Sequence, residues 1–189
     1  MLFTQKNPVE ELSRAAQELG LKYIPGGSYH LNLGTIEGIY EGYSVEINPH
    51  TGDHKRFQFT LKQKTGSCMI CSFASAYQPL NEDMAPFDCA YPPFNRYFKT
   101  RYADKNTAAL FQIPDNDFRT MVRMIVKWGW WIPGTLEKQD GSMCIESGKL
   151  CFSETNPRKP AVLTAKKIKI ILPQLHLAAM TVDKIFSGD

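Results

Sequence analysis

The stretch TIEGIYEGYSVEI, residues 35–47, restricts the fold more than any other part of the chain. Ile36, Gly38 and Tyr40 recur with period two, and so do Tyr43, Val45 and Ile47. A two-residue turn at Glu41 and Gly42 pairs Tyr40 with Tyr43, Gly38 with Val45 and Ile36 with Ile47, and it places all of them on one face. Gly42 supplies the positive φ that such a turn demands. A hairpin with one apolar face has to cover that face with more sheet or with a helix.

The residues around it extend the sheet. NPHTGDH is a turn cluster, and RFQFTL carries Phe57, Phe59 and Leu61 on one face. KQKTG turns again before the apolar SCMICSFAS. Residues 35–75 therefore predict an antiparallel meander of about four strands. Upstream, Asn7 can cap a helix with Pro8 at its first position and Glu10 three residues after the cap. Val9, Leu12, Ala16 and Leu19 share a face of that helix, and Gly20 suits its left-handed stop.

Residues 76–93 are rich in proline and acidic residues and read as a loop or linker. Beyond them, Phe94 and Phe98 are four apart, twice the strand period, so RYFKTRY reads as a strand with both rings on one side. Pro114 and Asp115 open a central helix with Phe118, Met121, Val122 and Ile125 on one face, ended by Gly129. Turn signals at Asp140-Gly141 and Ser147-Gly148 predict two or three short strands. The closing helix, from about residue 161 to 186, is striped by Ile168, Leu172, Leu175, Ala179, Val182 and Phe186, with Pro173 inside to kink or split it.

The expected class is α+β: antiparallel sheet with an N-terminal helix, a central helix and a long Pro-kinked C-terminal helix. The 189 residues fit one compact domain. The linker also allows two subdomains, 1–80 (helix plus four-stranded meander) and 90–189 (β-α-β-β-α).

These segments resemble a loose group of uncharacterised bacterial domains of unknown function. The resemblance rests on Gly20-Leu21-Lys22-Tyr23 after the first helix, and on Gly38-Ile39-Tyr40-Glu41-Gly42 with Val45 and Ile47. It continues through Phe94-Asn95-Arg96-Tyr97-Phe98, read as the group's F-[DN]-x-x-F strand, Ser147-Gly148-Lys149-Leu150, and the closing helix. Asn95 and Ser147 stand where the group usually has Asp. The resemblance covers most of the chain and implies the fold; it carries over no activity. Some members are membrane-tethered, and this sequence shows no such tether.

Composition excludes several functions. A formal net charge of +3 is too mild for a dedicated nucleic-acid binder. The densest basic run, Arg158 and Lys159 with Lys166, Lys167 and Lys169, reads as a solvated helix start; its functional reading is an anionic-lipid or phosphate contact. No secretory signal and no apolar run of membrane-spanning length is visible, so a soluble cytoplasmic protein with reduced thiols is expected. Gly-rich phosphate loops and nucleophile elbows are absent, and no cofactor or metal is implied.

The candidate sites follow from chemistry-bearing residue types. Cys68 and Cys71 form a CxxC, but at odd spacing on a strand their sulfurs diverge. Cys144 and Cys151 are symmetric about Ser147-Gly148 and face each other if that turn is tight. His50 and His54 flank Asp53 in a turn, and His30 and His176 have no partner legible in sequence. Trp128, Trp130 and Trp131, with Tyr91 and Tyr97, form an aromatic concentration suited to a protein partner or a small apolar ligand. The leading expectation is a non-enzymatic binding or accessory domain using that surface. The competing one is a thiol-dependent or metal-binding protein or enzyme using Cys68, Cys71 and Cys89.

Overall fold

A computed structural model describes residues 7–27, 33–49, 56–71, 81–98, 100–112, 119, 140–155 and 164–187. Over these residues the backbone is α+β, and the described strands form a nine-stranded sheet in which every neighbouring pair is antiparallel. The elements in chain order are α1 (Pro8–Glu18), β1 (Lys22–Ile24), β2 (Thr35–Tyr40), β3 (Tyr43–Ile47), β4 (Phe57–Thr60), β5 (Cys68–Cys71) and β6 (Ala85–Pro86). They continue with α2 (Pro92–Tyr97), β7 (Thr100–Ala103), α3 (Lys105–Leu110), β8 (Asp140–Glu146), β9 (Lys149–Thr155) and α4 (Ala165–Ser187). The predicted central helix at 114–129 falls almost wholly outside the described residues.

Local signals act where the sequence places them. The Asn7 side chain accepts from Val9 N at 3.1 Å and opens α1. At its other end Gly20 takes φ +70°, Leu21 N donates to Ala16 O at 2.8 Å and Gly20 N to Gln17 O at 3.1 Å. That is the paired stop in which two end carbonyls are satisfied and the next residue, Leu21, is buried. The β2–β3 register is Tyr40↔Tyr43, Gly38↔Val45 and Ile36↔Ile47, as the spacing predicts. Both hairpin turns are left-handed at both positions: Glu41 (48°) with Gly42 (80°), and Ser147 (51°) with Gly148 (72°).

The strand order is β1-β2-β3-β4-β9-β8-β5-β7-β6. The expected four-strand meander is therefore corrected at its last step. β4 pairs with β9 through Phe57↔Phe152 and Phe59↔Leu150, and the β8–β9 hairpin stands between β4 and β5. The exit of β4 gives the physical reason. Leu61 N donates to Gly148 O at 2.8 Å, and the Asp183 carboxylate takes the next two amides, Lys62 N and Gln63 N, each at 3.0 Å. Those amides bind a helix side chain and so cannot close a hairpin. Asp140 and Gly141 are likewise not a turn: they pair with Thr155 and Glu154 as the last rungs of β8–β9.

The second correction concerns 92–98. Phe94 lies within helix α2 and Phe98 caps it; neither is on a strand, and the strand β7 begins at Thr100. Pro92 and Pro93 occupy the first positions of α2, where a missing N–H costs nothing. Four residues separate same-face positions on a strand and on a helix alike, so spacing alone could not decide between them. The closing helix, expected to kink or split at Pro173, is not split: α4 is one helix from Ala165 to Ser187 with Pro173 inside. Pro173 is on the exposed side, and in the same turn Gln174 Nε2 donates to Ile170 O at 2.9 Å.

Cross-strand registers define two faces. On the inner face one row runs Ile36, Ile47, Phe57, Phe152, Met143 and Ile70, and the next runs Val45, Phe59, Leu150, Ile145, Cys68 and Ala103. Leu12 and Ala16 of α1 and Ile168, Leu172, Leu175, Ala179 and Val182 of α4 pack in the same buried cluster. An ion pair between Lys169 and Glu18 ties the two helices together. The outer row runs Lys22, Glu37, Glu46, Gln58, Cys151, Cys144, Met69 and Tyr102. It is charged over β1–β3 and apolar over β8, β5 and β7, where Met84 packs on Met69.

Asp104 fixes the far end of β5. Its carboxylate accepts from Thr107 N (3.0 Å), Asn106 N (3.1 Å), Thr107 Oγ1 (2.8 Å) and Ser67 N (2.5 Å), so it caps α3 and holds the entry of β5. Burial by itself would raise its pKa; the donors outweigh this and hold the carboxyl below its ordinary value. Asp104→Ala should cost about 2 kcal/mol at pH 7. With a depressed folded pKa, the contribution is present above the unfolded carboxyl value of about 3.9 and is lost as pH falls through the lower folded value. Urea unfolding of both proteins should give a stability difference that is flat from about pH 7 to 5 and shrinks below about pH 4. A difference that did not change with pH would show that ionised Asp104 is not the source.

Candidate binding surface

Tyr91 stands at the start of α2, on a corner held by side chain to backbone bonds. Asn95 grips Cys89 at both backbone groups: Cys89 N donates to Asn95 Oδ1 at 3.0 Å, and Asn95 Nδ2 donates to Cys89 O at 2.6 Å. A carboxylate could accept the first bond but could not donate the second, so the double grip requires an amide side chain. Arg101 bolts the same loop to β7. Its Nε donates to Phe87 O at 3.0 Å, one terminal nitrogen to the carbonyls of Asn95 and Phe98, and the other to Asp88 Oδ1 at 2.6 Å. Tyr91 itself is half-buried against the core, and the Arg119 guanidinium lies 5.6 Å from its ring centroid. A rigid aromatic beside an exposed guanidinium is the kind of anchor that interfaces favour.

Tyr97 closes α2 two turns away in sequence and sits on a helix, not on the strand expected for it. Trp128, Trp130 and Trp131 lie outside the described residues, as do His30, His50, Asp53 and His54. Of the predicted aromatic set, the structure describes Tyr91 in full and the backbone of Tyr97.

Of the three cysteines in the competing reading, the side chains of Cys68 and Cys89 are described, and both are buried. Cys68 is buried on the inner face, in register with Ala103 and Ile145. Cys71 ends β5 opposite Thr100 and Ser142. Cys89 is buried, with Sγ donating to Phe111 O at 3.2 Å and accepting from Tyr91 N at 3.4 Å. Burial pushes its pKa up, and the Tyr91 amide and the Arg101 charge offset this only in part. A thiol held protonated in this way is a poor nucleophile. Among the described residues no three His, Cys, Asp or Glu side chains converge in a metal-binding group. The basic run is also divided, because Lys169 points to Glu18 while Lys166 and Lys167 occupy the first turn of α4.

A second cluster joins residues from distant parts of the sequence. The imidazole of His176 on α4 meets the Tyr40 ring at 5.8 Å and the Tyr43 ring at 5.4 Å, both edge-on. Lys62 Nζ lies 4.4 Å over the Tyr43 ring, and the Tyr43 hydroxyl donates to Asp183. Burial, then the hydrogen bond and charge of Asp183, push the Tyr43 phenol well above its ordinary pKa. The cluster ties the β2–β3 turn and the exit of β4 to one face of α4. Its one legible signal is helical spacing: His176 and Asp183 are seven apart, flanking the buried stripe of Leu172, Leu175, Ala179 and Val182.

The fold thus defines an α+β protein whose antiparallel sheet is backed by an N-terminal and a long C-terminal helix. No described helix is long and apolar enough to cross a membrane. No family model matches the sequence, and no curated protein matches it. Its fold is similar to the crystal structure of the mycobacterial trehalose monomycolate transport factor A, with a TM-score of 0.61 and 12% identity over 96% of this chain and 97% of that one.

Proposed function

We propose that this chain is a non-enzymatic accessory protein that works by binding a protein partner through its aromatic surface, in a transport assembly. The observation that carries the reading is the likeness of fold, end to end in both chains, to a protein described as a transport factor. The geometry supports it in two ways. Cys68 is buried in the core and Cys89 is buried and hydrogen-bonded, which counts against these two thiols as reactive groups. Tyr91 is presented on a corner braced by Asn95 and Arg101, so an anchor there needs little ordering on binding. Trp128, Trp130, Trp131 and Tyr97 complete the proposed surface, and a protein partner is favoured over a small apolar ligand. The site of action is the cytoplasm.

Site-specific photocrosslinking tests this. A benzophenone amino acid at position 91 or 131 should yield one discrete protein adduct in the source cell, and the same probe at Glu37, on the charged part of the outer face, should not. Equal labelling at all three positions, or none at 91 and 131, would sink the proposal.

A further inference from the structure

We propose that Cys144 and Cys151 are a redox modification site, a thiol pair that closes to a disulfide on exposure to a peroxide and reopens with a dithiol. This inference is independent of the transport reading. The two residues are direct partners in the β8–β9 ladder, and both are thiols in this structure. Direct partners in an antiparallel ladder have Cα atoms about 4.5–5.5 Å apart. A disulfide spans about 4.4–6.8 Å. The pair is held in register by the tight turn at Ser147 and Gly148 and by ladder bonds on both outer flanks, with Gln58 of β4 opposite Cys151 and Met69 of β5 opposite Cys144. The two cysteines of β5 stand opposite other residue types: Cys68 faces Ala103 and Ile145, and Cys71 faces Thr100 and Ser142.

The environments of the two sulfurs differ in a useful way. Cys144 is half-buried, whereas Cys151 is 1% exposed, with Sγ 3.9 Å from Gln58 Oε1. Cys144 therefore meets the oxidant. Its sulfur attacks one peroxide oxygen, the O–O bond breaks, and Cys144 becomes a sulfenic acid as the first water leaves with the thiol proton. The Cys151 sulfur then attacks the Cys144 sulfur, the S–O bond breaks and the S–S bond forms. The departing hydroxyl takes the Cys151 proton as a second water. The thiols together lose two electrons and peroxide is reduced to two waters. Reopening is exchange with a dithiol, which leaves as its own disulfide. Cross-strand Cβ atoms sit about 4.5–5.5 Å apart, beyond the ~3.8 Å mean of a relaxed disulfide. Closure therefore pulls β8 toward β9 against the flanking ladders, and a bond formed against such resistance is one that a reductant opens readily.

The test is peptide mapping of the wild-type protein after mild hydrogen peroxide, alkylation in denaturant and trypsin. Lys149 separates the two cysteines, so the disulfide should link peptide 139–149 to peptide 150–158, and dithiothreitol should part them. The intact mass should fall by that of two hydrogens. Cys144→Ser, at the less buried position, should keep the native circular dichroism and lose both signals. Recovery of 144 and 151 as alkylated thiols or as singly oxidised acids would overturn the proposal. So would a linkage through another cysteine, or a mass loss that persists in Cys144→Ser.

Discussion

Asp183→Ala is expected to destabilise the protein by about 3–4 kcal/mol, read as a lower urea midpoint at unchanged slope. Asp183 is buried at 7% exposure in the last turns of α4. It accepts Lys62 N and Gln63 N at 3.0 Å and takes the Tyr43 hydroxyl. Removing the carboxylate leaves two amides and a buried phenol to find other partners, at about 1–3 kcal/mol for each donor left unsatisfied. Water reaches the exposed Lys62 and Gln63 more easily than Tyr43, which is 4% exposed, so the upper limit is not reached. Tyr43→Phe alone should cost about 1 kcal/mol, and the double variant should fall short of the sum by about the same amount, because both changes delete one bond. Additive costs would mean that the phenol and the carboxylate do not share that bond. The raised Tyr43 pKa fixes the pH dependence. The contribution is complete below the unfolded phenol value of about 10 and is lost as pH rises from there through the higher folded value.

Phe94→Ala should cost about 3–5 kcal/mol. Its side chain is 1% exposed, and its ring centroid lies 4.8 Å from Phe98, 6.2 Å from Phe111 and 6.4 Å from Phe87. Phe87 and Phe111 close the group at 5.2 Å. Removal leaves a cavity between rings that belong to the 87–91 loop, α2 and the end of α3, and those elements are pinned by Arg101 and Asn95, so they cannot collapse into it. Phe94→Leu keeps most of the volume and should cost about 1–1.5 kcal/mol. Calorimetric melting of the two variants checks both figures. A loss below about 1 kcal/mol for the alanine variant would mean that the four rings do not pack as a unit. If the corner loosens as described, limited proteolysis of Phe94→Ala should also cut first within 87–91.

Both predictions rest on features that differed in how far they could be read from sequence. The two hairpins were legible because their rule is local: a glycine at the second turn position sets the turn type, the turn sets the register, and period two sets the face. Gly42 and Gly148 take the positive φ required of them. Helix α1 was legible for the same reason, since Asn7, Pro8 and Gly20 act within a few residues of themselves. The 92–98 stretch was not legible from ring spacing, which fits both periods; Pro92 and Pro93 were the signal that favoured a helix. Of the aromatic surface, Tyr91 could be nominated as a residue type, but its bracing by Asn95 and Arg101 arises only when loop, helix and strand meet.

Local chemistry in the sequence by itself determined the α+β class, the N-terminal helix, both tight hairpins and the stripe of the closing helix. Tertiary structure alone decided that β9 and β8 separate β4 from β5, and that Asp183 ends β4 from 120 residues away. It also decided that His176 meets Tyr40 and Tyr43 and that Cys144 lies beside Met69. The physical reason is the range of the interactions. A turn or a cap is settled among neighbours within one or two peptide units, whereas strand order is settled by whichever distant edge offers unpaired amides and a matching apolar row.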